Sequence, residues 1–330
     1  MTNPINPLRV AVIGGDGTGP EVVAEAVKVL KAVAQLEGIQ LELREFDLGG
    51  ERYLRTGEVL PEDVFQELKT FPAILLGAIG HPDVPPGILE RGLLLQLRFR
   101  FDQYINLRPG QALSRGRNAA CRQGSRTTST LSWCARTTED LYCRLSAASS
   151  RRERRTRSRS RRPCTPARVA SGASAGRFEY TRRRRNNPKG KRLTLVAKTN
   201  VLTYGHDLWW RTFREVAREF PDVQADYNHV DACCMWMVKN PEYYDVIVTT
   251  NMFGDIITDL AAIIQGGMGV AAGANINPGS GRHQHVRADG RQRSQVHRQR
   301  HVINPIAAIG SRMAMLLEHT GQRAAQPTGS

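Results

Sequence analysis

The sequence predicts an α/β fold with a largely parallel sheet, because strand-like and helix-like segments alternate along the chain. Residues 8–13 read LRVAVI, a short apolar run rich in β-branched residues that is typical of a strand. Residues 21–36 then repeat apolar side chains at helical spacing. The same order returns in the second half, where the strand-like LTLVAKTN of residues 193–200 precedes an amphipathic segment.

The remaining elements follow from local patterns in chain order. The turn GGDGTG separates the first strand from the first helix, and Pro20 falls where the first turn of a helix tolerates proline. Residues 41–48 alternate with period two, as a half-buried strand does. Similar patterns predict helices at 61–70, through 212–220 and from Gly254 into 260–267, and strands at 73–80 and 244–251.

Length and composition place few limits on the function. The chain has 330 residues, of which 40% are apolar, so it can form one large domain or two ordinary ones with a buried core. No apolar run is long enough to span a bilayer, and the N-terminus lacks the pattern of a signal peptide. We therefore expect a cytoplasmic protein without a membrane partner.

The net charge of +16 is confined to two windows. Residues 111–177 hold 16 Arg, no Lys and 3 acidic residues, and residues 279–301 hold 6 Arg and 1 Asp. The other 240 residues carry a net charge of −2, which is ordinary for a cytosolic enzyme. Nucleic acid is therefore not an expected partner of most of the chain.

Charged residues on apolar scaffolds are the first functional candidates. Arg98 and Arg108 stand ten residues apart and are flanked by leucines, a setting in which guanidinium groups suit carboxylates, although solvated surface arginines are an alternative. Asp255 and Asp259 stand at i and i+4, so one helix face carries two carboxylates whose mutual repulsion a bound divalent ion would offset. The alternative is a solvated acidic face. Asp231 precedes an apolar run, where an unpaired buried charge would be costly.

Seven motifs together resemble one family, the metal-dependent β-decarboxylating dehydrogenases, which act on isopropylmalate, isocitrate, homoisocitrate, tartrate and D-malate. The motifs occur in the family's order: GGDGTGPEV, GLLLQLRFRFDQYINLRP, KTNVL, HVDA, NMFGDIITDL, QGGMG and INPIAAI. The resemblance covers about residues 8–109 and 178–278 and a short stretch from Val302. Within the family, the segment ERGLLLQLR is similar to the corresponding segment of the isopropylmalate branch.

The resemblance implies an isopropylmalate-dehydrogenase-like fold. Two open α/β subdomains with a central cleft are expected, the second inserted into the first. The first subdomain, on the cofactor side, comprises residues 1–104 and 266–330. The second, which carries the dimer contacts and the metal side, comprises residues 105–265.

The resemblance also implies roles for individual residues. Lys198 matches the general base, and Tyr142 matches the tyrosine that protonates the enol after carbon dioxide leaves. The substrate would contact Arg98, Arg108, Leu94 and Asn200. Magnesium or manganese would be held by Asp231, Asp255 and Asp259, and the adenine of the cofactor would lie near Asn304. In the family, the residues equivalent to Lys198 and Asp231 come from the second subunit. The resemblance therefore implies a homodimer.

The implied activity is NAD-dependent oxidative decarboxylation of 3-isopropylmalate to 2-oxo-4-methylpentanoate, in leucine biosynthesis. The preference for NAD rests on the branch resemblance and not on a residue. One alternative is a dehydrogenase of another 2-hydroxy diacid, such as tartrate, D-malate, homoisocitrate or isocitrate. The other is an inactive scaffold whose arginine tracts bind nucleic acid.

Windows 111–177 and 279–301 do not resemble the family. They are either genuine arginine-rich insertions or translations of a shifted reading frame, and we favour the shifted frame. Permitted codons for TTSTLSWCAR, read two bases out of register, give the family-like DIDFVVVREN. A shifted frame would impair the enzyme as written, because the third substrate arginine is missing near Ala135 and Arg136. Dense arginine without apolar periodicity predicts loops or disorder in both windows.

The histidines and tryptophans outside the motifs are expected to be structural. Surface or strand-end positions are predicted for His81, His206 and His229. Core positions are predicted for Trp209, Trp210 and Trp236.

Overall fold

A computed structural model describes residues 7–108, 132–137, 167–183, 191–277, 284–288 and 304–309. The chain divides into two compact units. The first unit comprises Met1–Gln103 and Gly267–Ser330, and the second comprises Tyr104–Gly266. The second unit is thus inserted in sequence between the two parts of the first. The assignment of a cofactor side and a dimerisation side to these units stays a prediction.

The first unit begins with alternating strands and helices. Its elements are β1 (Leu8–Ile13), α1 (Gly19–Leu36), β2 (Leu41–Glu45), α2 (Gly50–Thr56), α3 (Glu62–Leu68), β3 (Ala73–Leu76) and α4 (Leu95–Arg100). A π-helical turn, Glu90–Leu94, leads directly into α4. The strands β9 (Ala272–Ile276) and β10 (Gln284–Ala288) complete the described part of this unit.

The described strands of the first unit lie in the order β2-β1-β3-β10-β9. Pairing is parallel from β2 to β10, and β9 runs antiparallel to β10. Helix α3 and the segment around α4 cover one side of β1 and β3, where Ile13, Leu76 and Phe65 share one apolar core. Strand β3 is buried at every position, as expected for the centre of a parallel sheet covered by helices.

The second unit repeats the same arrangement. Its elements are β4 (Ile105–Leu107), β5 (Ser132–Thr137), α5 (Ala167–Arg183), β6 (Arg192–Ala197), α6 (Gly205–Ala217), β7 (Gln224–His229), α7 (Val230–Lys239), β8 (Val246–Thr249) and α8 (Asn251–Gln265). The described strands lie in the order β4-β5-β8-β6-β7. All neighbours run parallel except β4 and β5, which are antiparallel.

Side chains alternate between the two faces of this second sheet. From β6, Leu193 and Leu195 join the core formed with α5 and α6, whereas Val196 joins the core formed with α7 and α8. Strand β8 alternates likewise, with Val248 on the first face and Ile247 on the other. The period of two therefore buries both faces under helices, which is the α/β architecture predicted from the sequence.

The structure confirms the strands and helices predicted outside the basic windows. Several boundaries differ: β3 ends at Leu76 and not at 80, β6 ends at Ala197 and not at 200, and α8 begins at Asn251 and not at Gly254. The carbonyl of Thr250 already accepts the N–H of Gly254 at 2.9 Å, so the first turn forms three residues earlier than the apolar pattern indicates. Among the described helices, none is both long enough and apolar enough to cross a bilayer.

The expectation of loops or disorder throughout the two windows is wrong at three places. Strands β5 and β10 lie inside the windows, and α5 extends into the first of them. Residue Ala135 stands opposite Leu107 of β4 and Val248 of β8. Sheet pairing uses backbone groups, so a strand can join its neighbours without an apolar side-chain pattern.

The tryptophan predictions are confirmed in part. Trp209 is fully buried, and Trp210 packs partly buried against the same core. Trp236 is 43% exposed, so its predicted core position is wrong. Helix α7 is covered along the line of Cys233 and Met237, four residues apart, and Trp236 lies beside that line.

Candidate functional site

The turn after β6 carries Lys198, whose ammonium donates a hydrogen bond to Oδ1 of Asp231 over 2.7 Å. Asp231 stands in the first turn of α7, directly after β7. The nearby Lys198 ammonium lowers the pKa of Asp231. The carboxylate is 65% exposed whereas Lys198 is 23% exposed, so water screens the pair on the aspartate side.

The backbone of Lys198 is held by His206, which the sequence analysis missed as a site residue. The N–H of Lys198 donates to Nδ1 of His206 over 3.0 Å. His206 is 4% exposed, so the prediction of a surface or strand-end position is wrong. The available signal was its spacing from Trp209 and Phe213, because residues at i, i+3 and i+7 share one helix face.

Tyr227 of β7 supports the next residue of the turn. Its hydroxyl lies 2.7 Å from Oγ1 of Thr199 and accepts the Thr199 N–H at 3.3 Å. The same hydroxyl is 3.2 Å from Nδ1 of His229. Asn200 follows at an exposed turn position, where its amide is accessible to a small molecule.

Arg108 lies against α8 and contacts the predicted metal-binding face. Its guanidinium donates to Oγ1 of Thr258 over 2.8 Å and to Oδ1 of Asp255 over 3.5 Å. A third bond runs from Nε to Oδ1 of Asn106 at 2.9 Å. The Arg108 side chain is only 11% exposed, so these polar contacts fix its orientation in a low-dielectric setting.

Asp255 and Asp259 lie one turn apart on α8, and both are half-buried. Among the residues that the structure describes, no three His, Cys, Asp or Glu side chains come close enough to hold one metal ion. Asp231 therefore does not join Asp255 and Asp259 within one chain. The chain instead offers two partial groups, Lys198 with Asp231 and Arg108 with the two aspartates of α8.

The first unit holds the other candidate residues. Arg98 is buried in α4, and Leu94, at the end of the π-helical turn, packs partly buried beside the core of this unit. Asn304 is exposed, and its Oδ1 accepts the N–H of Ile306 at 3.0 Å. Tyr142 lies outside the described residues. The structure thus places Arg98 and Arg108 in different units.

The Gly-rich turn of the first unit is organised by Asp16, a residue to which the sequence analysis gave no role. Its carboxylate is 2% exposed and accepts N–H groups from Gly50, at 2.7 Å, and Gly80, at 2.9 Å. These amides lie in the segments that follow β2 and β3, while Asp16 follows β1. One carboxylate thus joins the loops at the carboxyl ends of three neighbouring parallel strands, where α/β sheets bind ligands.

Comparison with known proteins places these features in one family. The model of the isocitrate/isopropylmalate dehydrogenase family matches residues 9–327. The chain belongs to this family. The resemblance inferred from the motifs is thereby confirmed, and the chain is an oxidoreductase of the dehydrogenase class that acts on a small molecule.

The chain is similar to individual relatives over most of its own length and of theirs. A 3-isopropylmalate dehydrogenase from Frankia casuarinae is 43% identical over 321 residues, with 95% of this chain and 88% of the relative covered. One from Mycobacterium avium is 45% identical over 339 residues, with 96% and 90% covered. The crystal structure of isocitrate dehydrogenase from Methylococcus capsulatus aligns with a TM-score of 0.78 at 29% identity, covering 96% of this chain and 87% of that one.

Proposed function

We propose that the chain catalyses NAD-dependent oxidative decarboxylation of 3-isopropylmalate to 2-oxo-4-methylpentanoate, a step of leucine biosynthesis, with Mg²⁺ or Mn²⁺. The observation that carries the proposal is Arg108 beside Asp255 on the helix that also bears Asp259. This arrangement offers a cation for a substrate carboxylate next to two carboxylates for a metal ion. The names of the relatives at 43% and 45% identity support the substrate.

The donor set on α8 fits a divalent cation. Asp255 and Asp259 supply hard oxygen ligands one helical turn apart, which magnesium and manganese prefer over nitrogen or sulfur. A third carboxylate would be the partner subunit's Asp231. When bound, the ion would stabilise negative charge on the substrate oxygens during hydride transfer and decarboxylation.

The chain's own residues bind and orient the substrate. Arg98 and Arg108 hold the two carboxylates, and Leu94 contacts the isopropyl group. Lys198, with its nitrogen unprotonated, accepts the proton of the 2-hydroxyl, and Asp231 holds the resulting ammonium in place. Tyr142 is assigned the later protonation of the enol. Asn304 would lie near the adenine of bound NAD, and the cofactor would supply the acceptor for the hydride of C2.

A homodimer is part of the proposal and is supported by an apolar stripe on α7 and α8. The stripe consists of Met235, Val238, Ile256 and Ile263, each more than half exposed. Exposed apolar surfaces of this kind mark interaction sites. Asp231 shares the face of Met235 and Val238, because the three are spaced i, i+4 and i+7. A second subunit that covers the stripe would bring its Asp231 towards Asp255 and Asp259.

The activity is tested by following NADH formation with the purified full-length chain. We expect 3-isopropylmalate to be oxidised with NAD in preference to NADP, and faster than isocitrate, D-malate or tartrate. Removal of the metal with EDTA should abolish turnover, and added Mg²⁺ or Mn²⁺ should restore it. Equal turnover without metal, or a clear preference for another diacid, would contradict the proposal.

Arg108→Lys tests the observation that carries the proposal. Lysine keeps the charge but cannot reproduce the forked contacts to Thr258 and Asp255, so kcat/KM should fall by roughly 10- to 100-fold. Arg211→Lys is the matched control, because Arg211 is an exposed arginine paired with Asp207 on the surface of α6 in the same unit. If both variants keep wild-type kcat/KM, Arg108 does not bind the substrate.

A further inference from the structure

His206 is an almost fully buried imidazole at the start of α6, and its Nδ1 atom faces the turn that carries Lys198. The Nδ1 atom accepts the backbone N–H of Lys198 over 3.0 Å. An accepting Nδ1 carries no proton, so the ring is the tautomer with its hydrogen on Nε2. A neutral, buried acceptor therefore stands directly behind the residue proposed to move the substrate proton.

The backbone between these two residues forms a closed set of hydrogen bonds. The carbonyl of Lys198 accepts the N–H of Leu202 at 2.9 Å, and the carbonyl of Leu202 accepts the N–H of His206 at 3.1 Å. The ring of His206 then returns to the N–H of Lys198. The backbone N–H and carbonyl of Lys198 are thus both held by hydrogen bonds within residues 198–206.

Lys198 needs this acceptor because of its place in the sheet. The β6–β7 ladder ends with Ala197 opposite His229, so Lys198 is the first residue beyond the paired strand. The β6–β8 ladder ends one residue earlier, with Val196 opposite Thr249, so the Lys198 N–H lies beyond both ladders and the side chain of His206 provides its acceptor. A buried N–H without an acceptor would be costly, so the bond fixes the position of the turn.

The same ring also packs against the helix that bears the acidic residues. The centroids of His206 and Phe253 are 5.2 Å apart with the planes inclined by 58°. Phe253 lies in the first turn of α8, two residues before Asp255. The imidazole therefore connects the lysine turn to the start of the proposed metal-binding helix.

We propose that His206 is a positioning residue, which fixes the backbone of Lys198 against α8 so that the lysine ammonium stands at Asp231. This inference rests on the proposed role of Lys198 as the proton-moving group. It assigns no contact between His206 and the substrate. Loss of the Nδ1 acceptor would displace the lysine without removing any substrate-binding side chain, so kcat should change and KM should not.

The test compares two substitutions of similar size, of which only one offers an acceptor. His206→Asn can place an oxygen near the position of Nδ1, whereas His206→Leu fills similar space without an acceptor. Val216→Ala is the matched control, because it removes buried volume from the same helix at a distance from Lys198. Hydrogen exchange of the Lys198 amide, resolved by mass spectrometry or NMR, and kcat with KM for 3-isopropylmalate are measured on the full-length chain.

We expect His206→Leu to accelerate exchange of the Lys198 amide and to lower kcat about tenfold with KM unchanged. His206→Asn should restore slow exchange and most of kcat. Val216→Ala should lower the denaturation midpoint without either effect. If His206→Asn and His206→Leu behave alike, or if Val216→Ala lowers kcat as His206→Leu does, the ring has only a structural role and the proposal is overturned.

The exchange measurement separates this inference from the proposed function, because it needs no turnover. Fast exchange in His206→Leu with slow exchange in His206→Asn supports the positioning bond, even if the wild-type chain oxidises none of the diacids. In that case only the proposed function fails. If the wild type is active and His206→Leu changes neither exchange nor kcat, the proposed function stands and the role of His206 is overturned.

Discussion

Single side chains in the second unit differ in how far water screens their charges. Lys198 meets Asp231 at a carboxylate that is mostly exposed, whereas Arg108 meets Asp255 with an almost completely covered guanidinium. Exposed ion pairs contribute little to stability, and covered ones hold their geometry more firmly. Arg108 is therefore a fixed part of the site, and the pair of Lys198 with Asp231 contributes little to stability.

A third pair, Arg182 with Asp222, predicts a pH dependence of stability. Arg182 donates two short bonds to the Asp222 carboxylate, and this contact lowers the pKa of Asp222. The lowered pKa means that the pair stabilises the folded chain above about pH 4, where Asp222 is ionised in both states. The contribution is lost as the pH falls through the lower folded pKa.

We expect Asp222→Asn to lower the urea midpoint slightly at pH 7 and to have a progressively smaller effect as the pH falls below about 4. The effect is small because Arg182 and Asp222 are both substantially exposed. Asp207→Asn is the control, since its pair with Arg211 lies within one helix and connects no separate segments. A difference that does not shrink as the pH falls below about 4 would contradict the assignment.

At the scale of elements, the candidate residues follow the ends of parallel strands. Lys198 follows β6, Asp231 stands just after β7, and α8 begins two residues after β8. These three strands are neighbours and run in the same direction. Their carboxyl ends therefore lie along one edge of the sheet, which is where open α/β sheets carry their ligand sites.

A glycine in the turn after β1 gives a prediction that separates the cost of a left-handed backbone from the cost of a steric clash. Gly15 has φ +75°, and a Cβ there would lie 2.0 Å from the carbonyl oxygen of Ala78. Gly38 has a similar φ of +66°, but a Cβ there would meet nothing within 4 Å. Gly38→Ala should cost about 1 kcal/mol from the left-handed conformation alone.

Gly15→Ala should cost clearly more than Gly38→Ala, because the turn must also move away from the strand-end loop that contains Ala78. Urea unfolding of the two variants checks the difference directly. Equal free energies of unfolding would mean that the close approach of the two loops is easily relaxed.

At the scale of the whole molecule, the apolar stripe of α7 and α8 predicts association of two chains. Ile263→Glu places a charge in the stripe and should convert the dimer into a monomer in sedimentation experiments. Leu36→Glu is the control, because Leu36 is an exposed apolar residue at the end of α1 in the other unit. A dimer that survives Ile263→Glu would place the interface elsewhere.

Mixed subunits test whether the two chains share one site. Asp231→Asn and Asp255→Asn should each be inactive alone. After unfolding and refolding together, random pairing should restore up to about a quarter of the wild-type activity, since half of the dimers then contain one intact site. No recovery in a mixture that forms dimers would show that Asp231 and Asp255 act in the same chain.

The two basic windows give a prediction about the protein as it is made. If the reading frame is shifted, the mass of the protein purified from its source should differ from the 36.7 kDa of the sequence as written, and resequencing should show added or missing bases. The corrected chain should then carry a substrate arginine near position 135. A matching mass would leave the arginine tracts as true features of the chain.

The sequence by itself determined the α/β class, the order of the main strands and helices and the family motifs, because strands and helices follow from local periodicity. The motifs also named Lys198, Asp231, Arg108 and Asp255 as candidates. Their pairing was decided only in three dimensions. Lys198 reaches a partner 33 residues away, and Arg108 reaches one 147 residues away.

Such distant contacts depend on which strands are neighbours and in which register, and a single chain's local pattern does not encode either. The paired strand at Ala135 has the same origin, because neighbouring strands pair with a segment whose own sequence indicates a loop. Local chemistry therefore selected the residues, and the sheet topology decided which of them meet.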